Sequence, residues 1–195
     1  MSSKKVETRQ RLLQTTLRLL EQDDGAGVRM SDIARSAEVS RQTLYLHFGS
    51  RSELLIAVTR YADEQLDLAQ RYAVVEATTT AHDHLDALIE FWGHHVPAIY
   101  HVAQALWADR DPDGAAAAAW QDRMTATRTA CEAAIGMIEK EDLLDLTWDL
   151  TTGTDYLFSL LSIRTWAILT RDCDWSTDEY IERQQAVARR ILCRR

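Results

Sequence analysis

Glycine and proline are scarce in this chain, with seven and two among 195 residues. Such sparse punctuation excludes collagen-like repeats and argues against a turn-rich sheet protein, while abundant Ala, Leu, Arg, Glu and Gln favour long helices. Cysteine is rarer than glycine. Cys131, Cys173 and Cys193 are an odd number at wide spacing, with no CxxC and no Cys/His cluster beside them, so the pattern reads as free thiols of a reducing compartment. Long apolar runs are missing as well. No stretch approaches the roughly 20 apolar residues that span a bilayer, and residues 1–10 are polar, without the apolar core of a secretion signal. The expectation is a soluble, cytoplasmic chain with no membrane association, and its 46% apolar content sets disorder aside.

An overall excess of positive charge is also lacking, since the formal net charge is −8. The total conceals a division. Residues 1–60 hold ten Lys/Arg against seven Asp/Glu, and residues 61–195 hold twelve against twenty-three. Only charges within about 8 to 10 Å of a contact act strongly at physiological salt. A basic N-terminal third on an acidic body therefore confines any phosphate contact to one end.

What is present is helical periodicity. Val6, Leu12, Leu13, Thr16, Leu17 and Leu20 recur at helical spacing and predict a first helix over residues 6–20, ended by the run at residues 23–27. A short second helix carries Met30, Ile33, Ala34 and Ala37. Ser40 caps a third, through Leu44 to about His47. The S-x-x-E of Ser50 and Glu53 is a capping box that opens a fourth helix, predicted to run on to about Tyr72. Thr80 caps a helix over residues 81–95, which Pro97 must break or kink, and a shorter helix to Ala108 follows. Asp111 and Pro112 open a helix to about Glu139. The next is predicted over residues 144–171, and a second capping box, Ser176 with Glu179, starts a last one to Cys193.

Residues 30–48 are the most informative. Two short helices meeting at a tight turn need a small residue at their crossing, which Ala34 supplies; Val39 plugs the turn, and Leu44 and Phe48, four apart, share the buried side. Arg41, Gln42, Thr43, Tyr45 and Leu46 are left outward or at the helix start. A short helix with hydrogen-bonding side chains near its N-terminus is of the right width for a DNA major groove.

Residues 9–61 resemble the DNA-binding domain of the tetracycline-repressor (TetR) family. The matching stretches are DIA at residues 32–34, VS at 39–40, TLYLHF at 43–48 and SRSELL at 50–55. The resemblance implies an all-α fold: an N-terminal three-helix helix-turn-helix domain over residues 1–50, then a helical-bundle ligand-binding and dimerisation domain over residues 51–195, about nine helices together. It implies that Arg41, Gln42 and Thr43 read base edges, Arg41 pairing with guanine and Gln42 with adenine. Tyr45, His47 and Arg51 fall on phosphate-contacting positions; Lys4, Lys5 and Arg9 are candidates for arm-like phosphate contacts, Arg9 serving equally well as ordinary helix surface. Two positions depart from the family pattern. Arg29 stands where Thr often caps the second helix, so either Arg29 contacts phosphate itself or Ser31 takes over the cap. Glu38 stands where the turn often has Gly, and a left-handed backbone there costs a non-glycine residue roughly 1 kcal/mol.

Beyond residue 60 the resemblance is architectural only. Aromatic residues concentrate on the central helices, and an apolar pocket with a few polar groups suits a planar or lipophilic effector. Trp92, His95, Trp107, Trp120, Met124 and Phe158 are the candidate lining, although an aromatic stripe at helical spacing serves a core equally well. The histidines lack metal-ligand spacing, no nucleophile or phosphate-loop motif is present, and no cofactor is implied. The expected partners are double-stranded DNA, a small-molecule effector of unknown identity, and a twin copy held through the last two helices. The function implied is that of a ligand-responsive transcription regulator, most commonly a repressor; the alternative is a helical protein-interaction module without sequence-specific DNA binding.

Overall fold

In the computed structural model, residues 3–22, 28–108 and 114–194 are described. Among them the all-α expectation holds. Helical spacing of apolar residues becomes ten α-helices and one π-helical turn, and the β pairing present is a single isolated bridge between Leu144 and Cys193. The expected breaks at residues 23–27 and 111–112 lie outside the described residues. By internal contacts the chain forms two units, Met1–Asp67 with Ala98–Asp122, and Leu68–Pro97 with Arg123–Arg195.

The first unit begins with α1 (Ser3–Gln22), α2 (Met30–Ser36), α3 (Arg41–His47) and α4 (Arg51–Gln65). Leu12, Leu13 and Leu20 of α1 are buried with Ile33 and Ala34 of α2, Leu44 of α3, Phe48, and Leu54, Leu55 and Val58 of α4. Burying a side chain of this size stabilises by about 1.5 to 3 kcal/mol, so this cluster orients the short helices. Val102, Ala105 and Leu106, together with Ala116, close the same core.

The predicted fourth helix is two helices. α4 ends where the Leu66 N–H reaches back to Ala62 O at 3.1 Å, and Asp67 turns left-handed at φ +47° before α5 (Leu68–Glu76). Asp tolerates that region better than most side chains. The two helices predicted on either side of a break or kink at Pro97 are, conversely, a single element, α6 (Ala81–Ala108). A proline inside a helix costs roughly 3 kcal/mol, and the buried side chains flanking it, Val96, Ile99 and Tyr100, offset that loss. Thr80 caps α6 as expected, accepting the Asp83 N–H at 3.2 Å. α7 (Ala115–Lys140) follows.

The helix predicted over residues 144–171 is also divided. Asp145 instead accepts the Thr147 N–H (2.9 Å) and hydroxyl (2.6 Å) in a turn, and the Trp148 indole donates to Ile191 O at 2.8 Å. Asp149 and Thr152 then form a reciprocal capping box that starts α8 (Leu150–Leu160). Ser162 captures the Thr165 N–H at 3.0 Å and begins α9 (Ile163–Ala167), which continues as the π-helical turn Ile168–Asp172. Ser176 caps α10 (Thr177–Leu192), but the Glu179 carboxylate pairs with Arg183 at 2.8 Å rather than completing a box.

In the second unit α6 and α10 approach closely at Gly93. A methyl group there would overlap Ile181 Cγ1 and lie 2.9 Å from its Cδ1. Arg189 of α10 grips the Asp86 carboxylate with both Nε (2.7 Å) and a terminal nitrogen, and Gln185 donates to Asp86 O at 3.1 Å. Replacing Gly93 by Ala gains up to about 1 kcal/mol of helix propensity but overpacks this crossing, which typically costs about 1 to 3 kcal/mol. Gly93→Ala is therefore expected to lower the urea midpoint of the second unit's unfolding, measured by circular dichroism; an unchanged or higher midpoint contradicts the close crossing.

Candidate nucleic-acid interface

The geometry of α3 is set before and after it. Ala37 and Glu38 close α2, with Glu38 left-handed at φ +54°, and the Val39 N–H returns to Ala34 O at 3.0 Å. Ser40 accepts the Thr43 N–H at 3.0 Å, and the two hydroxyls are 2.8 Å apart. At the far end the chain extends at Phe48, and Ser50 accepts the Glu53 N–H at 3.0 Å to start α4. Glu53 does not complete the expected box with Ser50. Its carboxylate takes the Gly49 N–H at 2.7 Å, one residue earlier, which satisfies a donor in the link between the helices.

With Leu44 and Phe48 buried, the opposite edge of α3 is solvent-facing. Arg41 and Gln42 are exposed, Tyr45 is 51% exposed and Leu46 74% exposed, while Thr43 is half-buried with its hydroxyl on Ser40. Arg29 occupies the cap position of α2 without a side-chain cap, and its own side chain is exposed. Of the two alternatives at this position, Ser31 is half-buried and no cap bond is made by either residue. Arg51 is half-buried at the start of α4, and its Nε donates to Val28 O at 3.4 Å. The seven residues thus occupy consecutive elements of one unit.

His47 is half-buried, and burial, followed by the charges of Lys5 and Arg9, holds its imidazole below the usual range. It meets a neighbour as a neutral N–H donor more readily than as a cation. Arg9 lies over the Phe48 ring at 5.2 Å, which ties the start of α1 to the end of α3 by a cation–π contact. This contact of Arg9 with Phe48 is tertiary and has no signature in spacing.

The six candidate lining residues fall in both units. In the first, Trp107 and Trp120 meet edge to face at 4.7 Å, with Trp107 38% exposed. In the second, His95 is buried, stacked on Phe91 at 5.6 Å and 6.2 Å from the Trp92 ring, while Met124 and Phe158 are half-buried. Trp92 Nε1 and His95 Nδ1 are buried ring nitrogens without a hydrogen-bond partner. An unmet buried polar group costs about 1 to 3 kcal/mol. Burial, and then the charges of Arg123 and Arg71, push the His95 imidazole down to about 4.

Residues 12–58 match the family of bacterial regulatory proteins called tetR. Over that segment the chain is similar to the tetR family. The chain is 31% identical over 64 residues to the nucleoid occlusion factor SlmA of Marinobacter nauticus, an alignment covering 33% of each chain. The chain thus spans about a third of the length of that relative. Among solved structures, a protein from Saccharomonospora viridis described as a transcriptional regulator, in complex with choline, has a TM-score of 0.80 at 20% identity, over 97% of this chain and 100% of that one. NalD of Pseudomonas aeruginosa, the secondary repressor of the MexAB-OprM multidrug efflux pump, has a TM-score of 0.70 at 18% identity, covering 98% of each. Identities this low show a shared fold.

The turn before α3 and the buried His95 imidazole each have a measurable consequence. Left-handed Glu38 carries the strain that glycine avoids, so Glu38→Gly is expected to raise stability by up to about 1 kcal/mol, net of glycine's extra freedom in the unfolded chain; denaturant unfolding measures it, and a loss of stability contradicts it. The second concerns acid. An unfolded His95 titrates near 6.5, whereas the folded one stays neutral until about pH 4, so the unfolded chain takes up the proton first. Its contribution is complete above about pH 6.5 and is lost as pH falls toward 4, on the order of 3 kcal/mol in all. Unfolding free energies from pH 7 to 4 are expected to fall less steeply in His95→Leu than in the parent; equal slopes exclude His95 as the source.

Proposed function

We propose that this chain is a ligand-responsive, sequence-specific DNA-binding transcription regulator, acting as a repressor that a small-molecule effector releases from a pseudo-palindromic site. The observation that carries this reading is the free polar edge of α3, with Arg41, Gln42 and Tyr45 in solvent and the apolar residues behind them buried. Arg41 and Gln42 present the forked donors and the amide that suit guanine and adenine edges in a major groove. Thr43 adds a base contact from the helix start. Tyr45, the neutral His47, Arg29 and Arg51 hold phosphates and set register, Arg29 being favoured for this by its exposure and its lack of a capping role.

A homodimer places two such helices about 34 to 36 Å apart, on successive turns of one face of the duplex. The last two helices are the proposed contact. Leu157, Leu161 and Ile181 are already buried within the chain, which leaves Ile168 (53% exposed) and Val187 (39% exposed), with half-buried Leu160 and Ile191, to meet a twin. The effector reading draws on the choline complex of the S. viridis protein, and the repressor mode on NalD. Trp92, His95, Met124, Phe158, Trp107 and Trp120 are the proposed effector-responsive residues, the unpartnered nitrogens of Trp92 and His95 providing polar anchors in an apolar setting. Coupling is reciprocal: an effector that weakens DNA binding is itself bound less tightly by the DNA-bound form, typically by 1 to 3 kcal/mol.

The deciding experiment selects duplexes from a random pool with the full chain and then compares variants on the enriched site. Arg41→Ala and Gln42→Ala are each expected to lose about 1 to 3 kcal/mol of discrimination at one base pair per half-site, whereas Arg29→Ala weakens binding evenly across sequences and lowers the salt dependence by about one phosphate. Retained discrimination in both α3 variants, or no enriched duplex at low salt, leaves a helical protein-interaction module as the better description.

A further inference from the structure

Leu46 is 74% exposed, whereas Leu44, two residues before it on the same seven-residue helix, is fully buried. The exposure is a consequence of rotation. Once Leu44 and Phe48 turn inward, Leu46 must stand with Gln42 and Tyr45 on the solvent edge, with exposed Arg41 at the helix start. Gln42 and Leu46 are four apart, so their side chains are neighbours along one side of the helix. An apolar side chain in that row forgoes the gain that burial brings, and it interrupts a surface otherwise able to hydrogen-bond.

The chemistry that answers it is specific. In the major groove, the one apolar group that projects from a base edge is the C5 methyl of thymine; cytosine has only a hydrogen at that position, and the other distinguishing groups donate or accept hydrogen bonds. A protein partner is the poorer match, because Leu46 is flanked by Arg41, Gln42 and a half-exposed Tyr45 and not by a contiguous apolar patch.

We propose that Leu46 is a specificity-determining residue that reads the C5 methyl of a thymine, one helical turn along α3 from the base read by Gln42. The inference rests on the DNA-binding reading above. It adds that part of the preferred sequence is chosen by an apolar contact, without a hydrogen bond.

The test starts from the duplex enriched by the full chain. Each thymine of a half-site is replaced in turn by deoxyuridine, which keeps every hydrogen-bonding group and lacks only the methyl, and affinity is measured for the parent and for Leu46→Ala. The parent is expected to lose roughly three- to fivefold at one thymine per half-site, the worth of one methyl contact. Leu46→Ala is expected to bind the thymine duplex more weakly by a similar factor and to be indifferent to deoxyuridine at that position. Because Leu46 is largely in solvent, the variant should match the parent in thermal unfolding, so lost affinity is not lost fold. If Leu46→Ala distinguishes thymine from deoxyuridine as well as the parent does, or the parent is indifferent at every thymine, the proposal is overturned while DNA binding stands. If no duplex is enriched, the DNA-binding reading falls and takes this inference with it.

Discussion

The burial of Leu44 and Phe48 is the constraint on which the rest of the first unit turns. They are four residues apart, Leu44 within the seven-residue helix and Phe48 at its C-cap, and with both fully buried α3 has a single rotation about its axis. Everything on the opposite edge is then determined. Gln42, Tyr45 and Leu46 are exposed because the core has taken the other side, and Arg41 because it begins the helix; no separate interaction is needed to present them. The core in turn needs the turn before α3 to be tight, which Ala34, Val39 and a left-handed Glu38 achieve. Arg9 over Phe48 and Glu53 on Gly49 fasten the far end. The local strain at Glu38, about 1 kcal/mol, is small against a shared core of more than a dozen buried side chains.

Much of this was legible in the residues. Ser40, Ser50, Thr80 and Ser176 each act as the helix cap their identity suggested, because a short hydroxyl side chain before a helical run has one favourable use there. The outward placement of Arg41, Gln42, Tyr45 and Leu46 followed from the spacing of Leu44 and Phe48. The breaks between helices were less legible. A left-handed residue such as Asp67 interrupts a helix without disturbing the apolar pattern on either side, so periodicity reads straight through it. The same holds at Ser162, where the hydroxyl restarts a helix amid continuous apolar spacing. At Pro97 the error runs the other way, since the rule against internal proline is a local cost and the flanking burial is tertiary. The turn at residues 145–148 depends on Leu192 and Ile191, whose backbone carbonyls accept from Asp145 and Trp148 across some 43 residues or more. No window over the local sequence contains that partner.

The central aromatics show a different limit. Spacing put Trp92 and His95 on one side of a helix, three residues apart, and the structure stacks His95 on Phe91. Whether such a pair is core or binding surface turns on its ring nitrogens, and hydrogen-bond satisfaction is a property of neighbours, not of periodicity. Leaving both Trp92 Nε1 and His95 Nδ1 without protein partners makes this part of the core less self-sufficient than the cluster around Leu12 and Leu44. A core that lacks polar groups has nothing to gain from a guest. One with two unmet nitrogens does, which on the proposed reading gives the aromatic set of the second unit a use for a polar guest.

Charge bears on how such a regulator chooses its site. Non-specific affinity for duplex DNA rises with the number of phosphates neutralised, and it falls steeply with salt. A chain of net charge −8 with its acidic excess beyond residue 60 neutralises few phosphates when it meets DNA in an arbitrary pose. The basic residues of the first unit, Lys4, Lys5, Arg29 and Arg41 among them, are useful only when α3 faces the groove. On the proposed reading, the acidic body lowers the background and the short helix supplies the discrimination. With few cations to spend on phosphates, base-edge contacts must carry a larger share of the preference than they do in strongly basic proteins. An exposed leucine in the row of Gln42 is consistent with that division, because an apolar contact distinguishes sequences without adding any affinity for the backbone.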